Sequence, residues 1–186
     1  MDRVWHGPLY ALPFLYIETW RRIMFPQAGQ DVPFTIENYA YVDTFGRETV
    51  TWVRAFELEK KRRFDATMIY SDKRGRIVDY LGDHQHLAVD INATVSERGG
   101  MLLKSGSQRF YEGAVAFGFP MIFSGIADVE EWFDDDLGKF RIRVHVSNRR
   151  WGPLFGYEGS FDVEWLKCEP GGVPAHVKPL REEIRE

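Results

Sequence analysis

The stretch Leu87-Ala88-Val89-Asp90-Ile91-Asn92-Ala93-Thr94-Val95 decides the fold. Its larger apolar residues alternate with polar or small ones, which is the two-residue period of a half-buried β-strand. Shorter segments with the same period run from Pro33 to about Trp165, separated by turns that contain glycine. Because these turns are hairpin-length, strands adjacent in the sequence are expected to pair. The sequence therefore predicts a mainly β protein with a single antiparallel meander of about 8–10 strands.

A meander of this length avoids exposed edges best by curling on itself. We therefore expect a barrel or a strongly curved half-barrel. An N-terminal helix over about residues 8–24 is expected to pack on or in it. Apolar residues spaced three and four apart would form one stripe along this helix. The members of that stripe are Leu9, Leu12, Tyr16, Trp20 and Ile23.

The chain of 186 residues is most simply one domain. We expect a barrel-like domain over residues 1–168 and a polar C-terminal tail over residues 169–186, which is rich in proline, glycine and charge. Aromatic residues make up 15% of the sequence, which indicates a thick core or an aromatic-lined cavity.

Composition excludes several classes of function. The net charge of −4 argues against a nucleic-acid partner. A single cysteine, Cys168, cannot form an internal disulfide, so a cytoplasmic location is the expectation. The sequence contains no run of about 18 uncharged apolar residues, so it predicts no membrane-spanning helix. The chain also lacks the standard nucleotide-binding, hydrolase and zinc motifs, and no cofactor is expected.

Charged residues on otherwise apolar strand faces are the main candidates for a site. A buried unpaired charge is costly, so these residues must pair with one another, face a wet cavity, or indicate a misjudged register. An arginine in a cavity binds a carboxylate or phosphate well, and neighbouring aromatic side chains would bind an apolar ligand. The predicted ligand-binding residues are Trp52, Arg54, Asp79, Arg109, Asp128, Glu130 and Tyr157.

His84, His86 and Asp90 are weak candidates for metal ligands. Residues two apart on a strand point the same way, so the two imidazoles and the carboxylate could share a face. The same register places Leu87, Val89 and Ile91 on the opposite, apolar face. A polar outer face near a turn is therefore the favoured interpretation, and no metal site is predicted.

Four segments carry a family resemblance. They are Gly29–Phe34, Arg76–Gly82, Ser105–Phe110 and, most specifically, Gly152-Pro153-Leu154-Phe155-Gly156-Tyr157-Glu158-Gly159-Ser160-Phe161. With them the chain resembles the bacterial domain of unknown function 4166 family from about Gly7 to Trp165. The resemblance transfers no catalytic residue. Relatives attached to NAD(P)-binding segments similar to saccharopine dehydrogenases imply an oxidoreductase partner, and this chain would be a stand-alone member.

Three functions remain open at this point. The favoured one is a non-catalytic domain that binds a small, largely apolar or amphipathic molecule. The second is an accessory domain that docks an oxidoreductase. The third is an enzyme with Asp79, Asp128 or Glu130 as general base beside Arg54 or Arg109. A cavity of roughly 300 Å³ or more favours binding, and a solid interior with an exposed apolar patch favours docking.

Overall fold

A computed structural model describes residues 1–122, 124–167 and 172–186 of the protein. Cys168 and the first residues of the predicted tail lie outside these ranges. The elements in chain order are β1 (Arg3–His6), a 3-10 turn (Leu9–Ala11), α1 (Leu12–Trp20), β2 (Gly29–Gln30), β3 (Phe34–Val42), β4 (Glu48–Glu57), β5 (Lys61–Ser71), β6 (Arg76–Leu81), β7 (Leu87–Val95), β8 (Met101–Glu112), β9 (Val115–Gly118), β10 (Ile126–Asp134), β11 (Lys139–Asn148) and β12 (Gly152–Phe161).

All the strands belong to one 12-stranded antiparallel sheet, which confirms the predicted class. The order is β2-β1-β12-β11-β10-β8-β7-β6-β5-β4-β3, and β9 pairs only with β8. From β3 to β8 each strand pairs with its neighbour in sequence, as expected for a meander. The strands β1, β2 and β9 exceed the predicted number because they are too short for alternation to reveal them.

The sheet is open, so it has the predicted half-barrel form and not the closed one. Its two edge strands, β2 and β3, are joined by residues 31–33. The amide of Val32 donates to the carbonyl of Met1 over 2.8 Å, and the amide of Glu57 donates to the carbonyl of Pro33 over 3.0 Å. This short segment therefore ties β1 to β4 at one end of the sheet.

Aromatic side chains bring the two ends of the curled sheet together. The ring of Tyr157 on β12 lies 5.0 Å from Phe56 on β4 and 6.0 Å from Phe34 on β3, centroid to centroid. Phe25 lies 5.1 Å from Phe56 and 4.9 Å from Phe155. Edge-to-face pairs of this kind add about 0.5–1.5 kcal/mol beyond their burial. The inner faces of distant strands thus form one core.

The helix α1 packs inward through a different face from the predicted one. Ala11 and Leu15 are buried, whereas Leu9, Tyr16 and Trp20 of the predicted stripe are exposed. The reason is that residues 9–20 are apolar on nearly every side, so periodicity alone does not identify the inward face. A 3-10 turn before the helix also changes the phase between residue 9 and the residues after it.

The described part of the C-terminal segment lies on the outer face of the sheet. The hydroxyl of Tyr80 donates to the carbonyl of Arg185 over 2.8 Å, and that of Tyr111 donates to the carbonyl of Glu186 over 3.1 Å. The amide of Glu183 donates to Oε1 of buried Gln85 over 2.6 Å. These bonds hold residues 183–186 against a second apolar cluster that includes Tyr80 and Tyr111.

In the described ranges, no helix reaches the length and apolar character needed to cross a membrane.

A glycine on β12 allows the close approach of β1 and yields a stability prediction. A Cβ at Gly156 would lie 2.6 Å from the carbonyl oxygen of Val144 and would also meet the ring of Trp5. We expect Gly156→Ala to lower the free energy of unfolding by about 1–3 kcal/mol, because a packed core must shift to accept the methyl group. Gly118→Ala is the control, since nothing lies within 4 Å of its Cβ position. Equal urea midpoints for both variants would contradict the prediction.

Candidate functional site

The curled sheet encloses a cavity of about 230 Å³ between its inner face and α1. Strands β4 to β8 and β10 to β12 supply most of the wall. The apolar lining includes Trp52, Phe64, Met68, Leu81, Val89, Ile91, Leu103, Val129, Ile142 and Val144. The inward residues of β7 are those that the alternation of Leu87–Val95 selects, so the sequence pattern directly shapes this wall.

Arg54 on β4 is the buried cation of the cavity wall, with 5% of its surface exposed. Its guanidinium carbon lies 4.1 Å from the ring centroid of Phe64 and 5.4 Å from that of Trp52. Its Nη1 donates to the hydroxyl of Tyr157 over 3.4 Å. Its Nε has no hydrogen-bond partner among the described residues. One N–H of a buried cation is therefore left without an acceptor.

Asp79 on β6 is the buried carboxyl group of the same wall. It lies opposite Met68 on β5 and Val89 on β7, and directly paired residues share a face. Burial raises the pKa of Asp79 to about 7, while the charge of Arg54 lowers it. Its Oδ1 has no hydrogen-bond partner in the described part of the chain. Arg54 and Asp79 thus compensate each other through space and each keeps a free polar atom.

His86 adds a third polar group to the cavity wall. Its Nδ1 lies 2.6 Å from Oε2 of Glu112, and its buried Nε2 has no partner in the ranges described. Burial lowers the pKa of His86 below its ordinary value, although the backbone carbonyl of Tyr111 and the charge of Glu112 act in the opposite direction. The ring is therefore mainly neutral near pH 7, with one nitrogen beside Glu112 and the other free.

The polar lining groups of the cavity include Glu18 and Gln108, which were not predicted. Glu18 of α1 faces it, and burial raises the pKa of that carboxyl to about 7. Gln108 also lines it, accepts a hydrogen bond from Ser124 Oγ and donates from Nε2 to the carbonyl of Gly125 over 2.7 Å. Glu18 was missed because it lies off the stripe that was expected to face inward.

A bulge in β8 explains why Gln108 and not Arg109 faces the cavity. Ile91 pairs with Ser105 but Val89 pairs with Gln108, so β8 has an extra residue there. The sequence pattern places Arg109 on the same face as Leu103, Ser105 and Ser107, but the extra residue inverts the alternation and turns Arg109 to the outer face. Gly106 within this segment was the available signal of a bulge.

Asp90 also lies on the outer face, where two arginines bind it. Nη2 of Arg74 is 2.6 Å from Oδ2, and Nη2 of Arg109 is 2.8 Å from Oδ1. Burial alone would raise the pKa of Asp90, but hydrogen bonds from Arg74 and Arg109 lower it below its ordinary value. This is a structural ion-pair cluster.

Asp128 and Glu130 are placed away from the cavity. Asp128 lies 3.4 Å from Nζ of Lys104, and Glu130 lies 2.6 Å from Nη2 of Arg143. The inward carboxyl of β10 is Glu131, because it pairs directly with the cavity-lining Ile142. Burial raises the pKa of Glu131. The register of β10 is thus one residue out of phase with the expected one.

The two histidines do not converge with Asp90. His84 Nδ1 lies 2.6 Å from Asp83, and the His84 ring stacks on His86 with centroids 5.3 Å apart. Across residues 1–122, 124–167 and 172–186, no group of three or more histidine, cysteine or acidic residues could hold a metal ion. Of the predicted set, Trp52, Arg54, Asp79 and Tyr157 meet at the cavity, with His86 beside them.

The raised pKa of Asp79 predicts the pH dependence of stability. Between about pH 4 and 7 the folded protein retains a proton that the unfolded chain releases, so the free energy of unfolding falls as pH rises. The slope is at most about 1.4 kcal/mol per pH unit for this group. We expect Asp79→Asn to flatten the dependence in urea titrations. The control Asp128→Asn should keep the wild-type slope, and an unchanged slope for Asp79→Asn would contradict the prediction.

Comparisons with known proteins agree with the family resemblance. The chain is 33% identical over 165 residues to the uncharacterized protein YndH of Bacillus subtilis (strain 168), covering 88% of this chain and 80% of that protein. No solved structure matches. The model of one protein family, described as a domain of unknown function (DUF4166), matches residues 1–161. The chain therefore belongs to the DUF4166 family.

Proposed function

We propose that the domain binds a small, largely apolar carboxylic acid in the interior of the curled sheet. The observation that carries the proposal is the pair of buried charged groups, Arg54 and Asp79, on a largely apolar wall. Among the residues that the structure describes, Nε of Arg54 has no acceptor and Oδ1 of Asp79 has no hydrogen-bond partner. An unsatisfied buried polar atom costs about 1–3 kcal/mol, which a ligand with matching groups would recover.

A carboxylic acid fits both groups. Its anion can accept a hydrogen bond from Nε of Arg54, and a protonated Asp79 can donate one to the second oxygen. The rings of Phe64 and Trp52 pack against the guanidinium of Arg54, which also lines the cavity. The chain of the ligand would then lie against aliphatic residues of β7 and β10, such as Val89 and Val129.

The cavity volume limits the size of the ligand. At about 230 Å³ it is below the roughly 300 Å³ that we set as the volume favouring a drug-sized ligand, so the proposal rests on the buried polar groups and not on the volume. A short or medium-chain acid therefore fits better than a long-chain one. Octanoate is a suitable probe, because it combines one carboxylate with a flexible apolar chain.

The first test is titration calorimetry with octanoate. We expect wild type to bind and Arg54→Met to bind at least about tenfold more weakly, because the variant lacks the charged donor. Arg143→Met is the matched control, since Arg143 is exposed and pairs with Glu130 on the outer face. Equal affinities for wild type and Arg54→Met would contradict the proposal.

A second variant keeps this test meaningful if Arg54→Met folds poorly. Ala127 lines the cavity, so Ala127→Phe should fill it and abolish octanoate binding without removing any charge. Ala116→Phe adds the same ring at an exposed position of β9 and should bind as wild type does. Binding that survives in Ala127→Phe would place octanoate elsewhere.

The proposal also predicts that binding depends on pH. With the pKa of Asp79 at about 7, lowering the pH neutralises this carboxyl and leaves Arg54 uncompensated. We expect octanoate to bind more tightly at about pH 6 than at about pH 8, and Asp79→Asn to remove most of this difference. Glu18→Gln is the control, because Glu18 is another cavity carboxyl with a pKa of about 7. This variant should keep most of the difference in affinity between the two pH values. Tighter binding at the higher pH would contradict the expectation.

Acid–base catalysis is the second candidate function. It is favoured by His86, whose Nδ1 lies 2.6 Å from Glu112 while its Nε2 is free at the cavity wall. The pair resembles a general base held by a carboxylate. Mass spectrometry of a cavity ligand after incubation with the protein distinguishes the two candidates. Catalysis would change the mass of the ligand, whereas binding alone would leave it unchanged. An oxidoreductase partner and a cytoplasmic location remain predictions that rest on the sequence.

A further inference from the structure

The helix α1 is apolar on two opposite faces, and only one of them is covered. Ala11 and Leu15 are buried against the sheet, whereas Ile17 is 67% and Trp20 is 77% exposed. A helix that is apolar all round is normally buried on all sides. An exposed apolar patch on a folded domain usually marks an interaction surface.

Neighbouring loops extend this exposed face into a patch. The hydroxyl of Tyr10 donates to the carbonyl of Trp151, and the amide of Trp151 donates to Oδ1 of Asn148 over 3.1 Å. The Asn148 side chain donates to the carbonyls of Met121 and Ile122 over 3.3 and 3.0 Å. We call the resulting surface the mouth patch. Its exposed members are Leu9, Tyr16, Ile17, Trp20, Met121 and Ile122.

The mouth patch borders the entrance of the cavity. Ile17 is mostly exposed and also lines the cavity, together with Glu18 and Arg21 of the same helical turn. The apolar surface of the patch is therefore continuous with the cavity wall at Ile17.

Unpaired arginines flank the mouth patch. Arg21 lies over the ring of Trp20 at 4.4 Å, and Arg150 lies over that of Trp151 at 5.4 Å, with Arg149 exposed beside it. In the described part of the chain, none of the three has an ion-pair partner. This is a local excess of positive charge on a protein whose net charge is −4.

We infer that the mouth patch docks on an anionic lipid surface, with α1 lying in the interface and the cavity opening toward the lipid. Tryptophan, tyrosine and arginine beside aliphatic residues are the composition of such interfaces. A symmetric contact with a second copy would bring both sets of arginines together, which disfavours that occupant. The docking does not require the proposed cavity ligand, but the entry of that ligand from lipid rests on the proposed function.

The test is flotation of the purified protein with lipid vesicles. We expect wild type to float with phosphatidylcholine vesicles that contain about a third phosphatidylglycerol, more weakly with phosphatidylcholine alone, and less in high salt. The double variant Ile17→Ser/Trp20→Ser should bind on the order of tenfold less. Arg149→Gln/Arg150→Gln should lose about fivefold for each arginine, on the anionic vesicles only.

The matched control is Val42→Ser/Val95→Ser, which removes two exposed apolar side chains at the ends of β3 and β7 away from the mouth patch. It should float as wild type does. Because every substituted residue is exposed, melting temperatures should stay close to that of wild type. The inference is overturned if wild type floats with neither vesicle, or if the mouth-patch variants float as well as the control. It is also overturned if light scattering shows a dimer that Ile17→Ser/Trp20→Ser dissociates.

Octanoate titration separates this inference from the proposed function. If octanoate binds and no vesicle does, only the membrane contact is wrong. If the vesicles bind and octanoate does not, the docking surface remains and the cavity ligand must be of another kind.

Discussion

Contact between Tyr157 on β12 and the side chains of Arg54 and Phe56 on β4 gives this protein an interior. These strands lie near opposite ends of the sheet order, so only curling of the sheet can bring them together. The segment of residues 31–33 fixes the same closure through the backbone. Away from these rings, the inward side chains of β7 and β10 line a cavity.

The polar groups of the cavity lower the stability of the folded protein. Burying a guanidinium and a carboxyl without direct hydrogen bonds between them leaves much of the desolvation penalty uncompensated. Contacts of Arg54 with Phe64 and Trp52 recover part of it. Asp90, by contrast, binds two arginines directly on the outer face. Acidic and basic side chains thus form direct ion pairs on the outer face, whereas Arg54 and Asp79 line the cavity without a direct ion pair between them.

The sequence predicted the sheet well because alternation in Leu87–Val95 and its neighbours is unambiguous. It predicted the site in part. Arg54 and Asp79 lie within clean strands, so their direction followed from the period. In β10, apolar residues occur at both odd and even positions, and the phase that made Asp128 inward was as good as the true one. A single extra residue in β8 turned Arg109 outward. The two-residue alternation of apolar side chains carries no information on such register changes, because tertiary packing decides them.

In a closed barrel, strand number and stagger fix the radius of the hollow. In this protein the edge strands β2 and β3 are not hydrogen-bonded to each other, so the strand pairing does not fix the radius. Side-chain contacts and the three residues that link β2 to β3 hold the two edges together. Changing the bulk of a ring such as Phe34 or Phe56 would widen or narrow the enclosure without adding or removing a strand. Side-chain size at the rim, and not strand number, therefore sets the width of the interior.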